Sequence, residues 1–153
     1  MPGNLVWIID KFEELDIDKL YKILYLRAEV FVVEQNAAYL DPDNKDQKAL
    51  HIQAYLNDDL CAYCRIFKSG DYFDEASIGR VVIDPRYRGY KYGHLLMEKA
   101  IDTLEKEWNE TCITISAQFY LKDFYASHGF GQTSDIYLED GIPHIQMKRY
   151  NDI

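Results

Sequence analysis

The pattern of apolar and polar positions divides the chain into short strands and two longer helices. The continuous apolar run at 78–83 is typical of a strand that is buried on both faces. Asp84 and Pro85 end this run, because proline has no amide hydrogen to donate to a sheet. Apolar residues at helical spacing then predict a helix over Tyr92–Trp108.

The same pattern predicts the remaining elements. A helix capped by Asp16 or Asp18 closes at 34–36, and a short helix at 121–127 is stopped by Gly129. Strands are predicted at 5–9, 51–56, 60–68, 113–117, 132–139 and 144–149, with tight turns at 57–59 and 140–141. The strands at 78–83 and 113–117 can lie parallel, because a helix connects them. We therefore predict one α/β domain over residues 1–153, built on a mixed sheet.

The residues between the apolar strand and the long helix form a basic loop with two glycines, 86–93. A strand, a glycine-containing loop and a helix N-terminus together make an anion-binding site, since free amide groups and the helix dipole meet there. An ordinary connection between a strand and a helix explains the loop equally well on these grounds alone.

Charge and composition narrow the function. The net charge of −9 argues against nucleic acid and anionic membranes as main partners. No apolar run reaches the ~18 residues of a membrane span, and the start M-P-G-N-L-V-W lacks the basic stretch of a secretory signal. We therefore expect a cytoplasmic protein. Between Arg80 and Lys99, five basic residues stand against two acidic ones, which suits a small polyanion.

Cysteine and acidic clusters predict no metal. Cys61 and Cys64 have no second pair or histidine partner at metal-ligand spacing, so we interpret them and Cys112 as reduced, mostly buried thiols. The acidic segment 36–48 lacks the glycine and the final glutamate of a calcium loop.

The stretch V-V-I-D-P-R-Y-R-G-Y-K-Y-G resembles the acetyl-CoA motif of the GNAT N-acetyltransferases, a strand followed by R/Q-x-x-G-x-G/A. Arg88 and Gly93 match its first and last positions, and Lys91 stands where a glycine is usual. The resemblance implies the GNAT fold, a central mixed sheet with splayed parallel strands and helices on both faces. It also implies an acetyl-CoA site made by Val81, Val82 and Ile83 for pantetheine, and by Arg88, Gly89, Tyr90, Lys91, Tyr92, Gly93 and His94 for pyrophosphate.

A second stretch, S-A-Q-F-Y-L-K-D-F-Y-A-S-H-G-F, resembles the later motif of that family. Gln118 takes the position of the amide that binds pantetheine. Tyr125 takes the position of the tyrosine that protonates the departing CoA thiolate, and a phenol with a pKa of ~10 can do this as charge develops. The structural alternative is that Tyr125, one of thirteen tyrosines, only packs its ring on the core.

Two further stretches, L-Y-L-R-A-E-V-F-V-V-E-Q and Y-L-E-D-G-I-P-H-I-Q-M, are similar to the ElaA family within the superfamily. Tyr39, Asp41, Asp43, Asp46 and His51 fall where that family carries similar residues. This resemblance implies a type of reaction and leaves the substrate open.

In a GNAT fold the acceptor binds between the segments 34–46 and 139–144, which are acidic here and suit a cationic amine. Candidates for the base that deprotonates the amine are Glu34, His51 and His144, with the first two ranked higher. Arg27 and Arg65 lie in apolar segments and are predicted to form buried ion pairs.

The sequence thus favours an acetyl-CoA-dependent N-acetyltransferase with direct transfer, because no cysteine occupies a nucleophile position. The expected acceptor is a small-molecule or peptide amine, and the expected assembly is a monomer or a homodimer. A non-catalytic CoA-binding module and an acyltransferase of the acyl-homoserine-lactone synthase type remain alternatives. The second alternative usually lacks the R-x-x-G-x-G loop.

Overall fold

The fold of the described residues is built on one sheet of eight strands. The computed structural model describes residues 4–150. Residues 1–3 and 151–153 of the predicted domain lie outside it. The first of these two ranges begins the stretch that was predicted to lack the basic part of a secretory signal. The strands are β1 (Val6–Lys11), β2 (Leu50–Leu56), β3 (Asp59–Phe67), β4 (Ala76–Ile83), β5 (Ile113–Gln118), β6 (Gly131–Gln132), β7 (Tyr137–Glu139) and β8 (Ile142–Arg149). They follow the order β1-β2-β3-β4-β5-β8-β6, and β7 also pairs with β8.

In the described residues three α-helices accompany the sheet: α1 (Ile17–Arg27), α2 (Tyr92–Trp108) and α3 (Lys122–Ala126). A π-helical segment, Ala28–Glu34, continues α1 directly. Asp16 caps α1 by accepting a hydrogen bond from the Lys19 amide at 2.7 Å, which decides between the two predicted caps.

The sheet is mixed because β4 and β5 are parallel while the other paired strands are antiparallel. The pairing between β4 and β5 covers only Ala76 with Ile113 and Ser77 with Thr114. Beyond these two pairs, within the described residues, the strands separate toward their carboxyl ends. This gap positions the site described below.

Helices cover both faces of the sheet. Ala62, Cys64 and Ile66 of β3 belong to the same buried cluster as the apolar side of α2. Tyr63, between them, packs instead with Ile23 and other residues of α1. Because successive residues of a strand point to opposite faces, α1 and α2 lie on opposite sides of the sheet.

Several predicted bounds needed correction. The strand predicted at 132–139 is interrupted, because the Ser134 hydroxyl accepts the Gln146 amide at 2.8 Å in place of a backbone partner. The turn at Asp140 and Gly141 was predicted correctly, and both residues have positive φ. β1 extends past its apolar run because pairing with β2 continues to Lys11.

The cysteines confirm the prediction only in part. Cys61 and Cys64 are buried free thiols, whereas Cys112 is exposed, so the expectation of burial is wrong for the third cysteine. Within residues 4–150, no helix combines the length and the hydropathy that crossing a bilayer requires.

Candidate active site

A cavity of about 610 Å³ opens where β4 and β5 separate. Its walls include residues of the π-helical segment, β4, α2, β5, α3, β7 and β8, which are spread along the sequence. The predicted site residues that line it are Glu34, Val81, Val82, Ile83, Arg88, Gly93, Gln118, Tyr125 and His144.

A β-bulge shapes the inner wall formed by β4. Tyr63 pairs with Val82 and Arg65 with Gly79, so two residues of β4 lie opposite Cys64 alone. Arg80, at the bulge, has φ +51°, which is unusual for a residue other than glycine or asparagine. Since β5 diverges here as well, the backbone groups of β4 after Ser77 have no strand partner on that side. An extended ligand in the gap could use these groups as another strand would.

The loop after β4 ends at the N-terminus of α2. Asp84 accepts the Arg86 amide at 2.9 Å and begins a short 3₁₀ turn, Pro85–Tyr87. Gly89 has φ +90° and Lys91 has φ +63°, so both adopt left-handed conformations. Lys91 therefore occupies a backbone geometry that favours glycine, which explains why glycine is usual at this motif position.

The two motif glycines have different roles. A Cβ added at Gly89 would meet no other atom within 4 Å, so the need for glycine there comes from its φ alone. Gly93 has ordinary helical φ, but a Cβ there would lie 3.4 Å from the Phe124 ring. Gly93 therefore lets α3 pack closely against the start of α2. The other predicted loop residues lie outside the cavity lining: Gly89, Tyr90, Lys91, Tyr92 and His94.

Two bridges join the end of the π-helical segment to the predicted cofactor elements. Glu34 accepts two hydrogen bonds of 2.7 Å from the Arg88 guanidinium. The next residue, Gln35, exchanges amide hydrogen bonds with Gln118 at 3.2 and 3.4 Å. The hydrogen bond from Arg88 holds the pKa of Glu34 below its usual value.

Tyr125 on α3 lines the cavity and is 7% exposed. Its ring packs edge-on against Phe124 and Phe130, which fixes the orientation of the phenol. Burial raises the pKa of Tyr125, so its hydroxyl is protonated at neutral pH. The packing role considered as an alternative is therefore real, and it is compatible with a donor role.

A hydrogen-bonded group around His144 also lines the cavity. His144 Nδ1 lies 2.7 Å from the Ile142 carbonyl oxygen, so Nδ1 carries a proton and donates it. His144 Nε2 lies 3.3 Å from the Glu139 carboxylate. The Ser116 hydroxyl contacts the Tyr137 hydroxyl at 2.5 Å and donates to Glu139 at 3.3 Å.

The other acidic residues of the segment 34–46 belong to a buried charge network of three arginines and three aspartates: Arg27, Arg65, Arg80, Asp41, Asp43 and Asp46. Arg27 and Arg65 are 0% and 1% exposed, and each donates to Asp46 at 2.8 Å. This confirms the predicted buried ion pairs. It also means that Asp41, Asp43 and Asp46 are neutralised inside the protein.

His51 contacts this network through the Asp46 carbonyl oxygen and does not line the cavity. Its Nε2 lies 2.9 Å from the Asp46 carbonyl oxygen and its Nδ1 lies 2.6 Å from the Tyr63 hydroxyl. Burial lowers the pKa of His51, and the ring is 1% exposed. The structure thus does not bring His51 together with Glu34 and His144, the other two base candidates.

Sequence reasoning missed several lining residues. Gln35 reads as a helix-end polar residue, and Arg80 reads as one basic residue of a strand. Ser116 lies two residues before Gln118, and the period of two in a strand could have placed both on one face. The bulge at Arg80 leaves no comparable signal in the sequence.

Comparison with known proteins fits this geometry. The model of the acetyltransferase (GNAT) domain family matches residues 16–150. ElaA of Escherichia coli is 44% identical over 138 residues, which cover 89% of this chain and 90% of that protein. The crystal structure of E. coli ElaA superposes with a TM-score of 0.89 at 41% identity, covering 95% of this chain and 99% of that one.

A second solved structure, an acyl-CoA N-acyltransferase from Pseudomonas aeruginosa, superposes with a TM-score of 0.91 at 38% identity. It covers 95% of this chain and 99% of that chain. The match to this family supports acyl transfer from CoA. The chain belongs to the GNAT acetyltransferase family, in the branch that contains ElaA.

Proposed function

We propose that the chain is a single-domain N-acetyltransferase that transfers acetyl from acetyl-CoA directly to an amine. The observation that carries this proposal is the cavity between β4 and β5, which has the unpaired edge of β4 on one side and Tyr125 on another. The loop that follows β4 leads to the N-terminus of α2, where free amide groups favour an anion.

In this proposal each element holds one part of the cofactor. Backbone groups of Val81, Val82 and Ile83 bind pantetheine and polarise the thioester carbonyl. Amides of the loop at 89–94 bind the pyrophosphate, and Arg88 adds a guanidinium that matches phosphate geometry. Gln118 reaches pantetheine from the facing strand once its amide exchanges Gln35 for the ligand.

The reaction is an aminolysis of the thioester. The amine nitrogen forms a bond to the carbonyl carbon, the carbon–sulfur bond breaks, and the thiolate takes a proton from Tyr125. The nitrogen gives up its proton to a base. None of the three cysteines is among the cavity-lining residues of the described chain, which supports direct transfer over an acyl-enzyme.

Of the three base candidates, His144 has the strongest support. Its Nδ1 proton is committed to the Ile142 carbonyl, so Nε2 is the atom that can accept a proton. Glu139, 3.3 Å away, would stabilise the resulting imidazolium. Glu34 is a weaker base because Arg88 lowers its pKa, and His51 lies outside the cavity.

Calorimetry and an acetylation assay test the proposal. Acetyl-CoA should bind and raise the melting temperature, whereas ATP and NAD should not. Gly89→Val should raise the Kd for acetyl-CoA by about tenfold or more. Valine does not readily adopt the φ of +90° found at Gly89, so the loop and its amides would move.

Gly70→Val is the matched control for this variant. Gly70 has φ +89° and open space around it, as Gly89 does, but it lies in the loop between β3 and β4 and not in the loop that leads to α2. Both variants should lose similar stability, and only Gly89→Val should weaken acetyl-CoA binding. Absence of acetyl-CoA binding would overturn the assignment, and binding without transfer to any amine would instead identify a CoA-binding module.

A further inference from the structure

The charges that line the acceptor end of the cavity are unequally compensated. We define this end by five lining residues, of which the last four belong to the hairpin between β7 and β8: Tyr39, Glu139, Asp140, Ile142 and His144. We propose that the acceptor is a diamine or polyamine, an amine that carries a second cation and no carboxylate. This inference rests on the proposed function and adds the class of its acceptor.

The first support comes from the arginines of the cavity. Among the lining residues in the described part of the chain, Arg80 and Arg88 are the permanent cations. Arg88 is bound by both oxygens of Glu34 at 2.7 Å. Arg80 lies 2.8 Å from Asp41 and 3.5 Å from Asp43, and it also donates to the Asp41 carbonyl oxygen.

An acceptor with a carboxylate therefore finds no free cation among these lining residues. Freeing Arg80 would break its contacts with Asp41 and Asp43 and would leave Asp41, which is 4% exposed, with Arg27 as its remaining arginine partner. Losing one of two counterions is costly for a buried charge. Freeing Arg88 would compete with its proposed role at the pyrophosphate. Amino acids are thus poor acceptors for this cavity.

The second support comes from the hairpin between β7 and β8. Glu139 and Asp140 end this hairpin and line the cavity, and no lining arginine pairs with either of them. Burial, and then the charges of Asp41 and Asp140, raise the pKa of Tyr39 to about 12. Tyr39 therefore stays neutral at neutral pH and adds no charge to this wall of the cavity.

The arrangement suits an amine with two nitrogens at separate positions. The reacting nitrogen would lie near His144 Nε2, the proposed proton acceptor. The distant ammonium would then pair with Asp140 at the hairpin tip, while Tyr39 and Ile142 contact the methylene chain between them. A monoamine would lose only the pairing with Asp140.

Paired acceptors that differ by one carboxylate test the inference. Cadaverine is compared with lysine, putrescine with ornithine and tyramine with tyrosine, and acetylated product is measured by mass spectrometry beside free CoA. We expect kcat/KM for each decarboxylated amine to exceed that of its amino acid by about tenfold or more, because a carboxylate near Glu139 and Asp140 is repelled.

Asp140→Asn separates the charge from the backbone. Asparagine tolerates the φ of +51° found at Asp140, so the turn should be kept. This variant should lower kcat/KM for cadaverine by roughly fivefold or more through KM, and should change tyramine little. Glu107→Gln, an exposed charge near the far end of α2, is the matched control and should change neither.

Each outcome decides a different point. Higher kcat/KM for the decarboxylated amines, reduced for cadaverine by Asp140→Asn, supports the inference. Equal or better acetylation of lysine and ornithine would overturn it and leave the transferase standing. Binding of acetyl-CoA with no acetylated product from any of the six amines would count against the proposed function, and the inference would fall with it.

Discussion

Two sets of arginine–carboxylate pairs lie within one fold and differ mainly in burial. In the buried charge network, Arg27 and Asp46 are 2.8 Å apart and their side chains are 0% and 9% exposed. At the cavity, Arg88 and Glu34 are 2.7 Å apart, but their side chains are 44% and 43% exposed. The distances are alike, so the environment decides what each pair does.

Burial makes the network structural. Removing one partner there leaves a buried charge with one counterion fewer and no water to replace it, which costs several kcal/mol. In the pair of Arg88 and Glu34 both side chains are exposed to solvent. This pair contributes about 1 kcal/mol or less to the free energy of unfolding. Arg88 can therefore exchange a carboxylate for a phosphate at low cost, whereas Arg27 cannot exchange its partners without destabilising the fold.

The largest expected effect comes from breaking the network at its shared acceptor. Asp46 Oδ1 accepts from both Arg27 and Arg65 at 2.8 Å. Asp46→Ala should lower the free energy of unfolding by about 3–5 kcal/mol, because two buried guanidinium groups lose one partner each. Urea denaturation followed by circular dichroism measures this loss.

Glu34→Gln is the matched control and should cost about 1 kcal/mol or less. Similar losses in the two variants would contradict the distinction between the buried and the exposed pairs.

Acid denaturation provides a second measurement of the network. Although burial alone raises the pKa of Asp46, hydrogen bonds from Arg27 and Arg65 hold it below its usual value. This stabilisation is present above the ordinary Asp pKa of about 3.9 and is lost as the pH falls through the lower folded value, and Asp46→Ala should abolish that part of the acid sensitivity.

The second largest effect comes from removing the hydroxyl of a buried tyrosine. Tyr125 lines the cavity, whereas Tyr63 is hydrogen-bonded to His51 beside the buried network. Tyr125→Phe keeps the ring packed and removes only the hydroxyl of this cavity-lining residue. It should lower kcat by roughly 100-fold, in the usual range for a general acid, with little change in stability or in the Kd for acetyl-CoA. Steady-state kinetics with thioesters of different thiol acidity measure this loss. The loss of kcat should be smaller for a thioester whose leaving thiol is more acidic.

Tyr63→Phe provides the contrast. Tyr63 is 0% exposed and its hydroxyl lies 2.6 Å from His51 Nδ1, so this change should cost about 1–3 kcal/mol of stability and leave kcat unchanged. If Tyr125→Phe lost stability with kcat intact, the Tyr125 phenol would be structural and water would protonate the thiolate.

Local patterns predicted the elements that define the gap. The apolar run of β4, the helical spacing of α2 and the turn at Asp140 depend on neighbouring residues, and sequence periodicity records such features. The match of α2 to its predicted bounds shows how strongly a long amphipathic segment limits the outcome.

Long-range pairing decided the rest. Asp41, Asp43 and Asp46 read as an acidic surface, and only their contacts with Arg27, Arg65 and Arg80 show that they are neutralised. His51 was among the base candidates for the same reason, since a sequence does not show that its ring is held by Tyr63. The bulge at Arg80 likewise depends on the register between β3 and β4, which no local pattern contains.

The smallest expected effect concerns the loop at the cavity. Lys91 has φ +63°, a conformation that costs a non-glycine residue about 1–2 kcal/mol. Lys91→Gly removes this strain and adds about 0.5–1 kcal/mol of chain entropy to the unfolded state, so the net change should be a stabilisation of about 0.5–1 kcal/mol. Acetyl-CoA should bind at most a few times more weakly, because the amide remains and only an exposed charge is lost.

Asn57→Gly is the control for this change. Asn57 has φ +56° in the turn between β2 and β3, but asparagine tolerates that conformation and has little strain to release. Its replacement should therefore be neutral or slightly destabilising, while Lys91→Gly raises the melting temperature. Should Lys91→Gly instead abolish acetyl-CoA binding in calorimetry, the lysine charge rather than the loop amides would hold the pyrophosphate, and the exposed cavity loop would depend on charge as strongly as the buried network does.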